Sequence, residues 1–141
     1  STNQRSAFFG CNNLIVSATD SGKFGSVTNF QRFAFFSSSL TTFPNIDLSS
    51  GTEFNSFCYF ASSLTTFPAN MFDSSTATDY ANAFASTNLT TQSIDNILVS
   101  IVASGVSNGT FKQSGGQAPS ATGLAAKDTL VADGWTVIYT T

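Results

Sequence analysis

The chain contains no histidine, so the commonest general base and metal ligand is missing from all 141 residues. Charge is equally scarce: 9% of residues are Asp, Glu, Lys or Arg, with five basic against eight acidic, where an ordinary globular protein has about 25%. With no basic run, the balance argues against nucleic acid and against anionic lipid as partners. No stretch approaches the roughly 18 apolar residues that span a bilayer, so membrane insertion is not expected. Two cysteines, Cys11 and Cys58, make neither a disulfide scaffold nor a zinc site. They occupy different repeat positions two repeats apart. Since stacked strands are about 4.8 Å apart, two rungs exceed the Cα separation of about 7 Å that a disulfide tolerates. Both are expected as buried free thiols.

Polarity comes instead from Ser, Thr and Asn, and the core from aromatics, with fifteen Phe against one Met and one Trp. The arrangement is periodic. SSSLTTFPNIDL at 37–48 returns as ASSLTTFPANMF at 61–72, and degenerate copies surround Leu14 and Leu89. The anchors Leu14, Leu40, Leu64 and Leu89 stand 26, 24 and 25 residues apart. Such a period predicts stacked supersecondary units with a long, thin core, a solenoid. A chain that starts at Ser1, not Met, is expected to be processed or part of something longer.

Each leucine is preceded by an aromatic run: 7–9, 30–36, 54–60 and 80–84. Phe30, Phe33 and Phe36, and again Phe54, Phe57 and Phe60, have the i, i+3, i+6 spacing of a helix. Thr28…Gln31 and Ser50…Glu53 match the capping-box pattern, and Thr76 with Asp79 makes a weaker version. These runs are therefore expected as helices of about two turns. Leu-Thr-Thr-Phe before Pro44 or Pro68 reads as a very short strand, because proline cannot donate to a following ladder bond. Small residues three before each leucine (Cys11, Ser37, Ala61, Ser86) suit a tight turn. Residues 1–91 are thus expected to be helix–strand repeats with a parallel sheet on one face.

Residues 92–141 read as a capping unit of the same domain. Ile94, Ile97, Leu98, Ile101 and Val102 mark a helix over about 93–104, ended by Gly105. A short strand over 110–112, a flexible SGGQAPS loop, a helix over 121–132 with Gly134 at its C-cap, and a last strand through Trp135, Val137 and Tyr139 follow. The whole is α/β.

Within Phe8-Phe9-Gly10-Cys11-Asn12-Asn13-Leu14 and the two SSLTTFP copies, the sequence resembles the BspA-type leucine-rich repeats, whose units carry an aromatic-x-x-Cys-Ser-Ser-Leu-Thr-Ser core. The resemblance covers about residues 5–91, and the segment from Gln92 to Leu98 with Gly134-Trp-Thr-Val resembles the terminal unit that follows such repeats. The cysteine is kept only at Cys11, and Phe43 and Phe67 replace an aliphatic. What the resemblance implies is a non-catalytic adhesion or structural role in an extracellular, cell-surface or virion setting, with no cofactor and no catalytic residues.

No serine nucleophile is legible, since no His base or GxSxG accompanies any serine, and Gly115-Gly116 lacks the lysine of a phosphate loop. Asp20, Asp47 and Asp73 follow the leucines at unequal offsets, which suits turn and cap residues better than a calcium column. The candidate site is the set of threonine pairs, Thr41-Thr42, Thr65-Thr66 and Thr90-Thr91. Stacked, they would form a ladder of hydroxyls able to contact a cell-surface glycan or protein, though threonine is also simply a good strand residue. The competing expectation is a structural module that packs against neighbouring subunits of a fibre, capsid or surface layer.

Overall fold

The computed structural model describes residues 3, 5–8, 10 and 21–141. Cys11, Leu14 and Asp20 lie outside the described residues. The fold is mixed α/β. Strand β1 (Asp79–Phe84), helix α1 (Thr91–Ala103), strand β2 (Thr110–Ser114), helix α2 (Ala121–Ala132) and strand β3 (Thr136–Thr140) follow in order. The strands form one sheet, β1-β2-β3, with both neighbouring pairs parallel, and each helix is the crossover that parallel pairing demands. Gly105 (φ +71°) and Gly134 (φ +87°) lie just past the two helices in the left-handed region, the usual terminator.

The aromatic runs over 30–36, 54–60 and 80–84 are not helices. Residues 31–36 and 55–60 are successive turns, and 80–84 belongs to β1. Backbone bonding in these segments alternates by residue. The N–H groups of residues 30, 32, 34 and 36 donate to the carbonyls of residues 53, 55, 57 and 59 at 2.8–3.1 Å, while those of residues 33, 35 and 37 donate three residues back. Residues 54, 56, 58 and 60 repeat the pattern onto 79, 81, 83 and 85, and Ser6, Phe8 and Gly10 donate in the same way to 31, 33 and 35. The expected capping boxes do not form. Instead Asn3, Asn29 and Asp79 each accept the N–H two residues on through a side-chain oxygen, an Asx turn that starts the segment.

A ladder prevails over a helix for a physical reason. A two-turn helix is marginal by itself and directs its hydrogen bonds along its own axis. The alternating pattern satisfies the backbone and also brings equivalent rings to stacking distance. Phe30, Phe54 and Tyr80 form one column, with centroids 5.3 Å apart and planes within 3° at both steps, and Trp135 lies 6.0 Å beyond Tyr80. Phe33 and Phe57 (5.5 Å) and Phe43 and Phe67 (5.1 Å) pack beside it. Each such contact contributes about 0.5–1.5 kcal/mol beyond area burial.

The expected Leu-Thr-Thr-Phe strands reduce to an isolated parallel bridge, Thr42 with Thr66, because Pro44 and Pro68 stop the ladder on one side and turns end it on the other. The sheet is built from the fourth aromatic segment, 80–84, and the two strands after it. The SGGQAPS segment is also not the flexible loop its composition suggests. Gly115 donates to the Thr140 carbonyl at 2.8 Å, Gln117 to the Leu89 carbonyl at 2.9 Å, and Gln117 Oε1 accepts the Thr91 N–H at 2.9 Å.

Cys58 is a fully buried free thiol, and burial holds its pKa well above the ordinary 9.0. Burial also raises the Tyr80 phenol well above 10.0, only partly opposed by its hydrogen bond to Ser75. Above those ordinary values the unfolded chain releases protons that the folded chain keeps. Stability from both groups is therefore complete below about pH 9 and falls as pH rises, by about 1.4 kcal/mol per pH unit for each group. With no histidine to titrate, urea midpoints should be nearly flat from about pH 6 to 8.5 and drop above. Cys58→Ala should delay the start of that drop by about one pH unit; an unshifted alkaline limb would contradict the assignment.

Candidate functional site

The threonine ladder is only partly assembled. Thr65 and Thr66 both donate backbone N–H groups to the Thr41 carbonyl (2.9 and 3.1 Å), Phe43 donates to the Thr66 carbonyl (2.9 Å), and Thr90 donates to the Thr65 carbonyl (3.0 Å). Thr41, Thr42 and Thr66 are exposed and Thr65 is half-buried, so in the first pair both side chains face outward. The hydroxyl of Thr65 donates to the Thr41 carbonyl at 3.1 Å and lies 3.4 Å from that of Thr66. The third pair has another role. Thr90 is the N-cap of α1, accepting the Ser93 N–H. Thr91 opens the helix and donates its hydroxyl to the Ala118 carbonyl at 2.8 Å. The helix starts two residues earlier than its apolar pattern indicates, and its cap takes over these hydroxyls.

Of the acidic series, the described members Asp47 and Asp73 are engaged in hydrogen bonds of the fold. Asp47 accepts the Ser49 N–H at 2.9 Å, and Asp73 accepts the Ser100 hydroxyl at 2.6 Å.

A second surface feature has no expectation in the sequence. Phe36 and Phe60 are 45% and 37% exposed. They stack on each other with centroids 4.8 Å apart and planes 6° from parallel. Phe35 and Tyr59, half-buried, flank them at 4.6 and 4.3 Å, and the Arg32 guanidinium sits 5.6 Å over the Phe35 ring. Both exposed phenylalanines adopt left-handed backbone, φ +59° and +62°, a conformation that costs about 1–2 kcal/mol for a residue with a side chain. Gly10 (φ +68°) and Ser86 (φ +58°) hold the corresponding places in the flanking segments. That glycine was the available signal. A glycine aligned with Phe36 marks a left-handed position, whereas i, i+3, i+6 spacing places Phe36 with Phe30 and Phe33 in one helix.

A third feature is a cleft of about 600 Å³ between the first turns of α1 and α2 and the turn at residues 69–70. Asp95 is 7% exposed. It accepts the Ser120 N–H at 3.0 Å and the Ser120 hydroxyl, tying α1 to the N-cap of α2. Gly123 allows this approach, because a Cβ there would collide with the Asp95 carboxylate. Among the described residues, no group of three or more potential metal ligands is gathered, and no helix is long and apolar enough to cross a membrane.

No protein-family model, curated protein or solved structure matches the chain.

Proposed function

We propose that the laddered aromatic segments are units of a short leucine-rich-like solenoid, residues 1–91, closed by a C-terminal capping unit, residues 92–141. The function we infer is non-catalytic recognition or adhesion in an extracellular, cell-surface or virion setting, with a glycan or protein as partner and no nucleic acid, cofactor or metal. The observation that carries this reading is the exposed Phe36–Phe60 pair. Two bulky residues hold a strained backbone while leaving much of their rings in water, an arrangement that lowers stability. The left-handed backbone recurs at Ser6, Arg32, Ser56, Asn82 and Ser86 and belongs to the ladder; what is particular to Phe36 and Phe60 is that large apolar rings stand there in solvent, as at an interaction surface. The exposed Thr41, Thr42 and Thr66 offer hydroxyls for hydrogen bonding, and the near-absence of charge leaves contact, not long-range steering, to supply affinity.

The test separates stability from binding. Phe36→Gly with Phe60→Gly keeps a backbone that glycine accepts without strain. This double variant should unfold within about 1 kcal/mol of the parent yet lose its retention on intact cells or immobilised glycans. Retention equal to that of the parent would defeat the proposal.

A structural assembly role is the second reading, favoured by the open edge of β3. Thr136 donates to Gly109, and Thr140 accepts from Gly115. By the alternation of a parallel ladder, the backbone groups of Val137 and Tyr139 lie on the outer edge, which no described strand pairs. Growth of molar mass with concentration in light scattering would favour this reading, and a constant monomer mass would favour recognition.

A further inference from the structure

We propose that the cleft between α1 and α2 is a binding site for a neutral, polyhydroxylated ring, one pyranose unit of a glycan. The proposal rests on the recognition reading above and names its ligand class. The volume of about 600 Å³ lies within the usual range of small-molecule sites, about 300–1,000 Å³. The chemistry of the walls narrows the choice. Asp95 lies in the floor, more than nine-tenths buried, and its two hydrogen bonds, both from Ser120, leave lone pairs unused. A buried carboxylate with spare acceptors favours a ligand rich in donors.

No Lys or Arg lines the cleft, so an anionic ligand would meet a carboxylate without a counter-charge. The remaining groups both donate and accept, as a set of hydroxyls requires. Asn70 and Thr122 use their side chains in no hydrogen bond within the described residues. Gln92 donates to Asn96 Oδ1 at 2.9 Å and keeps its own carbonyl oxygen free. Asn96 is fixed in turn by donating to the Phe67 carbonyl at 3.0 Å. Val99, 42% exposed on the next turn of α1, gives an apolar wall for the C–H face of a sugar. Asn70 lines the cleft and holds φ +62°, a left-handed position that asparagine tolerates.

The test is a titration of the full chain with glucose, galactose, mannose and N-acetylglucosamine, followed by ligand-observed NMR and calorimetry, with glucuronate and putrescine as charged comparisons. At least one neutral sugar should bind at millimolar concentration or tighter. Asn70→Gly, which keeps the left-handed backbone, and Thr122→Val should each weaken that binding by about five- to tenfold, the factor of one ordinary hydrogen bond. Unchanged melting curves would show both variants folded. Sugar binding indifferent to both substitutions, preference for putrescine or glucuronate, or no binding by any of the six would each overturn the assignment. If the cleft variants keep cell retention and the Phe36/Phe60 variant loses it, this site falls while the recognition reading stands.

Discussion

Replacing Phe54 by alanine is expected to remove about 4–5 kcal/mol of stability, enough to bring a chain of this size close to unfolding at 25 °C. Phe54 is fully buried in the middle of the Phe30–Phe54–Tyr80 column. Its ring is stacked on both faces, and its edges meet Phe57 (5.2 Å, 89°) and Phe72 (5.0 Å, 76°). The backbone at Gly51 packs directly against the ring, since any Cβ there would overlap it. Truncation therefore opens a cavity bounded by hydrogen-bonded backbone on either side, and the surroundings cannot collapse to fill it. Urea denaturation of Phe54→Ala against the parent measures the effect, with Phe36→Ala as an exposed aromatic control expected to stay within about 1 kcal/mol. A loss below about 2 kcal/mol for Phe54→Ala would mean that the column is not the principal support of the fold.

Gly116→Ala is the second large effect, with an expected loss of at least about 3 kcal/mol. Composition alone predicts the opposite, because alanine in a mobile Gly-Gly segment restricts the unfolded chain and stabilises by about 0.4–1 kcal/mol. The geometry decides against that outcome. Gly116 has φ +73°, and a Cβ on it would stand 2.5 Å from the Leu89 carbonyl oxygen, 2.6 Å from the Leu89 nitrogen and 3.0 Å from the Asn88 carbonyl carbon. All three are backbone atoms. Leu89 is fully buried and its carbonyl already accepts from Gln117, so it cannot retreat without breaking that bond. Relief would require the 114–118 segment to lift away, freeing the Thr91 N–H from Gln117 Oε1 and loosening the first turn of α1. Hydrogen exchange should then show faster exchange at the Gly115, Gln117 and Thr91 amides, beyond the global destabilisation. A variant as stable as the parent would show that the close approach is relieved without cost.

The two effects rest on features of different legibility. The identity of the core residues was readable, because Phe30, Phe33, Phe54, Phe57, Leu40 and Leu64 recur at one period and all are buried. The last third was readable nearly element by element. There, hydrophobic spacing of 3.6, the glycines at 105 and 134 and the alternation after Trp135 all favour one local conformation, and tertiary contacts only had to preserve it. Helix α1 differs by its cap alone, since Thr90 and Thr91 carry no apolar signal.

The aromatic runs are ambiguous in sequence because i, i+3 spacing places rings on one side of a helix and equally on one side of a chain of turns. What separates the two is the destination of each N–H group, and half of those destinations lie in another segment some two dozen residues away. No local pattern records that. The candidate sites follow the same division. Thr41, Thr42, Thr65 and Thr66 come together as the repeat implies. The cleft around Asp95 joins residues from three separate elements, and the exposure of Phe36 and Phe60 depends on a left-handed backbone that only the ladder imposes.

By itself, then, the sequence determined most of the residues that form the core, the period at which they recur, the order of helices and strands in the last third and the chemistry of a surface almost without charge. All of these follow from composition and local preference. The tertiary structure alone decided that the aromatic segments bond sideways in a ladder instead of coiling into helices. It also decided that two phenylalanines face solvent and that Gly115-Gly116 is a packed contact, because each of these is set by the distance between backbones remote in sequence.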